Sequence, residues 1–413
     1  MSRNHVSLLS EYREKLQQQR YNPMVVHNYC RNAEQFLSYL TGRKIDLKAV
    51  IPETVSKFLR LAARRFRVRH GRAPASKWIS IPRSGIQGLL KLALRCWPPE
   101  PPATSAGEAL CRDVCKEYGT WLREERGLAD ASINALLWEA RNFCAWYGGR
   151  GGTTGFKELG SHDVDAYFET RAPGLRRKSL TDVAERLRSF LRHLYRAGHL
   201  VVDLASRVSA PSLYAYETIP SILSEDQIAA VLQPAEKDRS PLGLRDYAIL
   251  RLLATYGLRV GEIAGLKLND IDWRAETLNV RHSKTGTHTL LPLMEPVGEA
   301  LIQYLRHGRP RTADARTIFI RSRAPYQPLS GTGISSVVRR RMEAAGVKPG
   351  GKRGPHIFRH ARAVSMLRAS ISKKVIGDVL GHRSTEATIP YLKLATEDLR
   401  AIALEIPGQE VGL

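Results

Sequence analysis

The sequence has 413 residues, 43% hydrophobic and 25% charged, a globular composition that excludes a wholly disordered chain and fits two or three domains. Its 64 Lys and Arg against 40 Asp and Glu leave a net charge of +24 with histidine neutral, which calls for a polyanionic partner. No apolar run reaches the ~20 residues of a membrane helix, and the first residues lack the apolar stretch of a signal peptide, so a soluble, cytoplasmic protein without a membrane partner is expected.

Residues 1–97 read as a helical bundle whose outer face carries Arg64, Arg65, Arg67 and Arg69 with His70 and Arg72. Acidic residues are scarce beside this run, which favours phosphate contact over a merely solvated helix face. Residues 98–107, rich in proline and small side chains, break all helical periodicity and predict a linker. Residues 108–208 read as a second bundle, with Leu136, Leu137, Ala140, Phe143 and Trp146 recurring at helical spacing. Its basic side chains include Arg171, Arg176, Arg177, Lys178, Arg186, Arg188 and Arg192. The two bundles echo one another at one offset: Glu11, Tyr12, Leu16, Arg20 and Asn28 correspond to Glu117, Tyr118, Leu122, Arg126 and Asn134, which predicts a duplicated module. The five cysteines, Cys30, Cys96, Cys111, Cys115 and Cys144, are odd in number and share no pair spacing. They read as reduced thiols, Cys111 and Cys115 as buried core residues, with no metal site.

A second break spans 209–221, after which Ser224, Asp226 and Gln227 carry the signature of a helix start. In 222–413, helices are predicted at 225–232, 242–255 and 260–266. A strand at 277–281, a turn at 283–286 and the apolar Leu290 to Leu293 make a hairpin, and helices are predicted to follow to the end. The expected fold class is mainly α: two N-terminal helical domains and a C-terminal α+β domain with a small antiparallel sheet packed on helices.

Four stretches of this last segment carry chemistry-bearing residues: TYGLRVGEIAGL at 255–266, HSKTGTH at 282–288, HIFRH at 356–360 and LGHRSTEATIPY at 380–391. Each alone has an ordinary account, such as a glycine helix end, an ion pair one turn apart or a hairpin turn. Together they supply Arg259, Lys284, His356, Arg359, His382 and Tyr391 in that order. A phosphodiester in a pentacoordinate transition state gathers negative charge, and two guanidinium forks can hold its non-bridging oxygens without a metal. Lys284 can protonate the leaving 5′ oxygen. Tyr391 can attack, with His356 taking its proton and His382 binding phosphate or positioning the phenol.

This ordered set resembles the tyrosine recombinase (phage integrase) family: GLRVGE matches its first arginine box, HIFRH its His-x-x-Arg box, and the nine residues from His382 to Tyr391 its own spacing. The similarity covers roughly residues 221–413. It implies that Arg259 and Arg359 hold the scissile phosphate, Lys284 protonates the leaving group, His356 assists Tyr391, His382 binds phosphate and Glu262 orients Arg259. It further implies a covalent 3′-phosphotyrosine, a four-way junction, and no metal or nucleotide cofactor. The implied partners are double-stranded DNA and a homo- or hetero-tetramer on paired sites, with the amphipathic tail at 397–406 docking in cis or being exchanged between protomers. The upstream bundles resemble in pattern the SAM-like and core-binding domains by which such enzymes grip DNA. Pro390, just before Tyr391, is a departure that removes a backbone donor beside the nucleophile. His282 and His288 flank Lys284 as competing bases, though His356 has the stronger claim.

Other readings remain open at this level. Asp270, Asp272 and Glu276 are the carboxylates a two-metal nuclease would use. The basic bundles alone would suffice for a non-catalytic sequence-specific DNA-binding protein, and a type IB topoisomerase shares the same chemistry without paired sites.

Overall fold

The computed structural model describes residues 3–94, 96–149, 155–213, 221–282, 286–311, 316–351 and 353–381. Lys284, His382, Pro390, Tyr391 and the 397–406 tail lie outside the described residues. The chain divides into two compact units, one of residues 99–217 and one joining 1–98 to 218–413.

The described residues of the 99–217 unit include the α-helices α5 (Ala106–Glu124), α6 (Asp130–Gly149), α7 (Ser161–Arg171) and α8 (Arg177–Arg196). Ser105 starts α5 by accepting the Glu108 amide at 3.1 Å, satisfying one of the open donors of a helix N-terminus. Tyr118, Phe143, Tyr167 and Phe190 fill the core. Buried Glu139 accepts from the Tyr167 hydroxyl and lies 3.2 Å from the Arg171 guanidinium. Cys115 and Cys144 are buried, their sulfurs 3.9 Å apart, whereas Cys111 is only partly buried and Cys96 is exposed. Cys111 therefore departs from the expected pair of core thiols: it sits at the edge of the α5–α6 contact rather than inside it.

The other unit begins with α1 (Arg3–Gln18), α2 (Pro23–Gly42), α3 (Pro52–His70) and α4 (Ser76–Ala93), packed around Phe36, Leu37, Leu40, Phe58 and Leu89. Tyr12 on α1 donates to the Gly85 carbonyl on α4 at 2.9 Å. Its echo, Tyr118 on α5, donates to Ser189 on α8 at 2.8 Å. Each matched tyrosine thus bonds the first helix of its bundle to the fourth, one to a backbone carbonyl and the other to a serine hydroxyl.

Residues 221–381 contribute α9 (Glu225–Lys237), α10 (Pro241–Tyr256), α11 (Val260–Gly265), β1 (Ile271–Asp272), β2 (Thr277–Arg281), β3 (His288–Pro292), α12 (Glu295–Gln303), α13 (Gly331–Ala344), α14 (His356–Arg368) and α15 (Lys373–Leu380). The strands form one antiparallel sheet in the order β1-β2-β3, with Val280 opposite Thr289 and Arg281 opposite His288. β1 has only two residues, too few to show periodicity, and its sequence signal is absent. Among the described residues between α12 and α13 the chain does not continue as α-helix as expected: a π turn at Tyr304–Gly308 gives way to isolated bridges at Thr317 and at Ile320 with Pro328. Pro310, Pro325 and Pro328 account for this, since proline removes helix donors and clashes with the preceding turn. The core beneath the sheet gathers Ile249, Leu253, Leu278, Val280, Phe319 and Phe358. Among the described residues no helix is long and apolar enough to cross a membrane.

Candidate active site

Helix ends place the arginines. Ser240 accepts the Gly243 amide at 3.0 Å and Pro241 occupies the first turn, fixing the start of α10, while Gly257 closes it in the left-handed region at φ 65°. The chain then reverses into α11, and Arg259 is its N-cap residue. Glu262, in the third helical position, accepts the Arg259 amide at 2.8 Å with one carboxylate oxygen and the Arg259 guanidinium at 2.8 Å with the other. Burial would raise the Glu262 pKa, but His282, with the Arg259 amide and guanidinium, outweighs it and holds the carboxyl below its usual range.

The two arginines converge on one segment. Arg259 donates to the Gly381 carbonyl at 3.1 Å. Arg359, 3% exposed on α14, donates to the Leu380 carbonyl and, at 3.0 Å, to the Gly257 carbonyl. Leu380 and Gly381 are consecutive, so the two guanidinium groups are anchored on carbonyls of one short segment. The arginine fork has five N–H donors, and these bonds use two of Arg259's. A Cβ on Gly257 would meet Leu380 at 3.0 Å and the Arg359 backbone at 3.3 Å, so the three stretches are packed in contact.

His356 is the first residue of α14 and exposed, its ring stacked on His360 with centroids 6.1 Å apart. His282 is 1% exposed: Nδ1 lies 2.9 Å from Glu262 Oε1 and Nε2 lies 2.8 Å from Thr289 Oγ1. Both of its nitrogens are engaged, so it is not available as a base. His288 is exposed and meets Asn279 at 3.2 Å.

Two of the three carboxylates of the two-metal reading have other work. Asp270 accepts the Lys267 amide at 2.7 Å and Asp272 accepts the amides of Arg274 and Ala275 at 3.0 Å each, the usual role of acidic side chains in turns. Of the basic surface residues, Arg64, Arg65, Arg67, Arg69, Arg176, Arg177 and Lys178 are all exposed. Lys178 is ion-paired with Asp182 at 2.8 Å. Arg171 and Arg188 are committed inward, to Glu139 and to the Val208 carbonyl.

Residues 221–398 match the family described as "Phage integrase family". A protein of Sinorhizobium fredii (strain NBRC 101917 / NGR234), y4gC, provisionally named an integrase/recombinase, is 66% identical over 193 residues, covering 47% of this chain and 99% of that protein. The chain belongs to the phage integrase family. As a family member it is a tyrosine-type recombinase; the tyrosine recombinase XerD of Mycobacterium tuberculosis (strain ATCC 25618 / H37Rv) is 29% identical over 300 residues, 69% of this chain and 94% of XerD. Among solved structures, a lambda integrase tetramer bound to a Holliday junction aligns with a TM-score of 0.53 at 20% identity, covering 78% of this chain and 88% of that one, a likeness of fold. What sequence reading missed in this recombinase is that His282, read only as a competing base, is buried and bonded on both nitrogens. Leu278 and Val280 alternate inward along β2, and the same period of two carries His282 to the buried face, a signal that was present but overshadowed by its nearness to Lys284.

Proposed function

We propose that this recombinase cuts and rejoins double-stranded DNA at specific sites, through a covalent 3′-phosphotyrosine at Tyr391 and a Holliday junction. The reading is carried by the convergence of Arg259 and Arg359 on Leu380 and Gly381, one residue before His382 in the chain. Two guanidinium groups so placed can take the non-bridging oxygens as negative charge builds. The Tyr391 phenolic oxygen bonds to phosphorus, the bond to the 5′ oxygen breaks, Lys284 gives that oxygen a proton, and His356 receives the phenol's. His356 at the start of α14 also stands where helix amides favour an anion. His382 holds the phosphate. Bond energy is conserved in the phosphotyrosine, so the step needs neither metal nor nucleotide.

Residues 1–97 and 108–208 serve, in this reading, as duplicated DNA-gripping domains joined by linkers at 98–107 and 209–221 to the catalytic domain at 222–413. The twin tyrosine bonds of Tyr12 and Tyr118 support the duplication. Protomers assemble as a tetramer on paired sites, as in the lambda integrase tetramer on its junction, with the 397–406 tail exchanged between neighbours. An integrase or transposase of a mobile element is the role most in keeping with the extra N-terminal bundle. The test is a suicide substrate nicked beside the cleavage point, incubated in chelator: wild type traps a covalent protein–DNA adduct and Tyr391→Phe does not. Absence of an adduct with wild type sinks the reading and leaves a DNA-binding protein.

A further inference from the structure

We propose that His282 is a positioning residue for strand transfer: it ties the strand leading into Lys284 to the Glu262 carboxylate and to the end of α15, so that the proton donor is held in register with Arg259. The inference rests on the transesterification proposed above and adds a residue to it.

The bonds around the imidazole define the tie. Glu262 is kept ionised and can only accept, so the His282 Nδ1 carries the proton in their 2.9 Å contact. The same Glu262 oxygen receives the Arg259 guanidinium. On its other side the ring meets Thr289 Oγ1 at 2.8 Å, across the β2–β3 pairing, and that hydroxyl lies 3.4 Å from the Asp378 carbonyl of α15. The ring also rests on Gly381: a Cβ there would fall 2.3 Å from Nδ1 and Cε1, closer than any real contact. One buried side chain therefore bonds to α11 and β3 and packs on the α15 end, the elements that carry Arg259 and the segment on which both arginines close. Lys284 is two residues further along the chain, no more than ~7 Å of extended backbone. A flexible hairpin base would let the lysine drift, and angstrom-scale misplacement of a catalytic group costs on the order of 100-fold in rate.

The experiment separates positioning of the proton donor from general support of the site. In a substrate whose scissile 5′-bridging oxygen is replaced by sulfur, the leaving thiolate departs without a proton, because a thiol is acidic near pH ~8.5. His282→Ala and Thr289→Val should each bind target DNA with unchanged Kd and cleave the oxygen-linked substrate roughly 10- to 100-fold more slowly. Both should cleave the sulfur-linked substrate at the wild-type rate. Adding either change to Lys284→Ala should cost nothing further, as expected for residues acting on one step. Thr289→Val leaves the His282–Glu262 bond in place and so stands if His282→Ala folds poorly. Equal slowing on both substrates, or no slowing on the oxygen-linked one, overturns the assignment. A wild-type protein that forms no covalent product with either substrate overturns the transesterification itself, a result separable from the first two.

Discussion

Gly381 has two reasons to be glycine, and they can be measured apart. It caps α15 at φ 60°, a conformation that costs an L side chain ~1–2 kcal/mol, and its missing Cβ leaves room for the His282 ring. That ring cannot swing aside without breaking its bonds to Glu262 and Thr289, so overpacking should add ~1–3 kcal/mol. Gly286 shares the positive φ, at 72°, but a Cβ there would meet nothing within 4 Å. Gly381→Ala is therefore expected to lose about 2–5 kcal/mol in urea denaturation, and Gly286→Ala only the conformational part. Equal losses would mean that the His282 contact does not constrain the site.

At the scale of elements, the joint between α5 and α8 contains a histidine with a pH signature. His193 on α8 is 4% exposed and packs at a tilt against the rings of Tyr118 and Trp121 of α5, with centroids 5.1 and 5.5 Å away. Burial holds its pKa below the ordinary histidine value; Glu117, 3.8 Å away, and Glu125 act against that, and His199 reinforces it. Because the folded pKa is the lower one, the unfolded chain takes up the proton first. This contribution to stability is intact above the ordinary histidine pKa and declines as pH falls toward the depressed value. Urea midpoints followed from roughly pH 7.5 to 5 should drop for wild type and drop less for His193→Phe, which keeps the aromatic packing. Parallel curves would show that other groups set the acid limb. Elements such as α9, α10 and β2 were legible in the sequence because their signals are local: Ser224 opens α9, Gly257 closes α10, and alternation marked β2. The closure of the site was legible only as a set of residue types. Its bonds join Arg259 to Gly381 and Arg359 to Gly257, more than 100 positions apart, and they use backbone carbonyls, which no side-chain pattern announces. His282 was visible as a residue and not as a tie, because its partners lie on three other elements.

Across the whole molecule the net charge of +24 is spent unevenly, and the distribution decides which cations can meet DNA. Arg171 and Arg188 face inward and Lys178 is already neutralised by Asp182, which raises the lysine pKa. On α3, by contrast, Arg64, Arg65, Arg67 and Arg69 are exposed, and none forms an ion pair among the described residues. Each phosphate they neutralise releases counterions, so log Kd should rise with log salt by ~0.9 per contact. If the 1–97 bundle grips DNA through this face, replacing Arg64, Arg67 and Arg69 by alanine should weaken binding uniformly across sequences. It should also reduce the salt slope by ~2–3, measured by fluorescence anisotropy between roughly 50 and 200 mM salt. Lys178→Ala should change the slope by less than one contact, because the Asp182 carboxylate it leaves behind already offsets its charge. A triple variant with the wild-type slope would place the DNA elsewhere and reduce the α3 arginines to a solvated helix face.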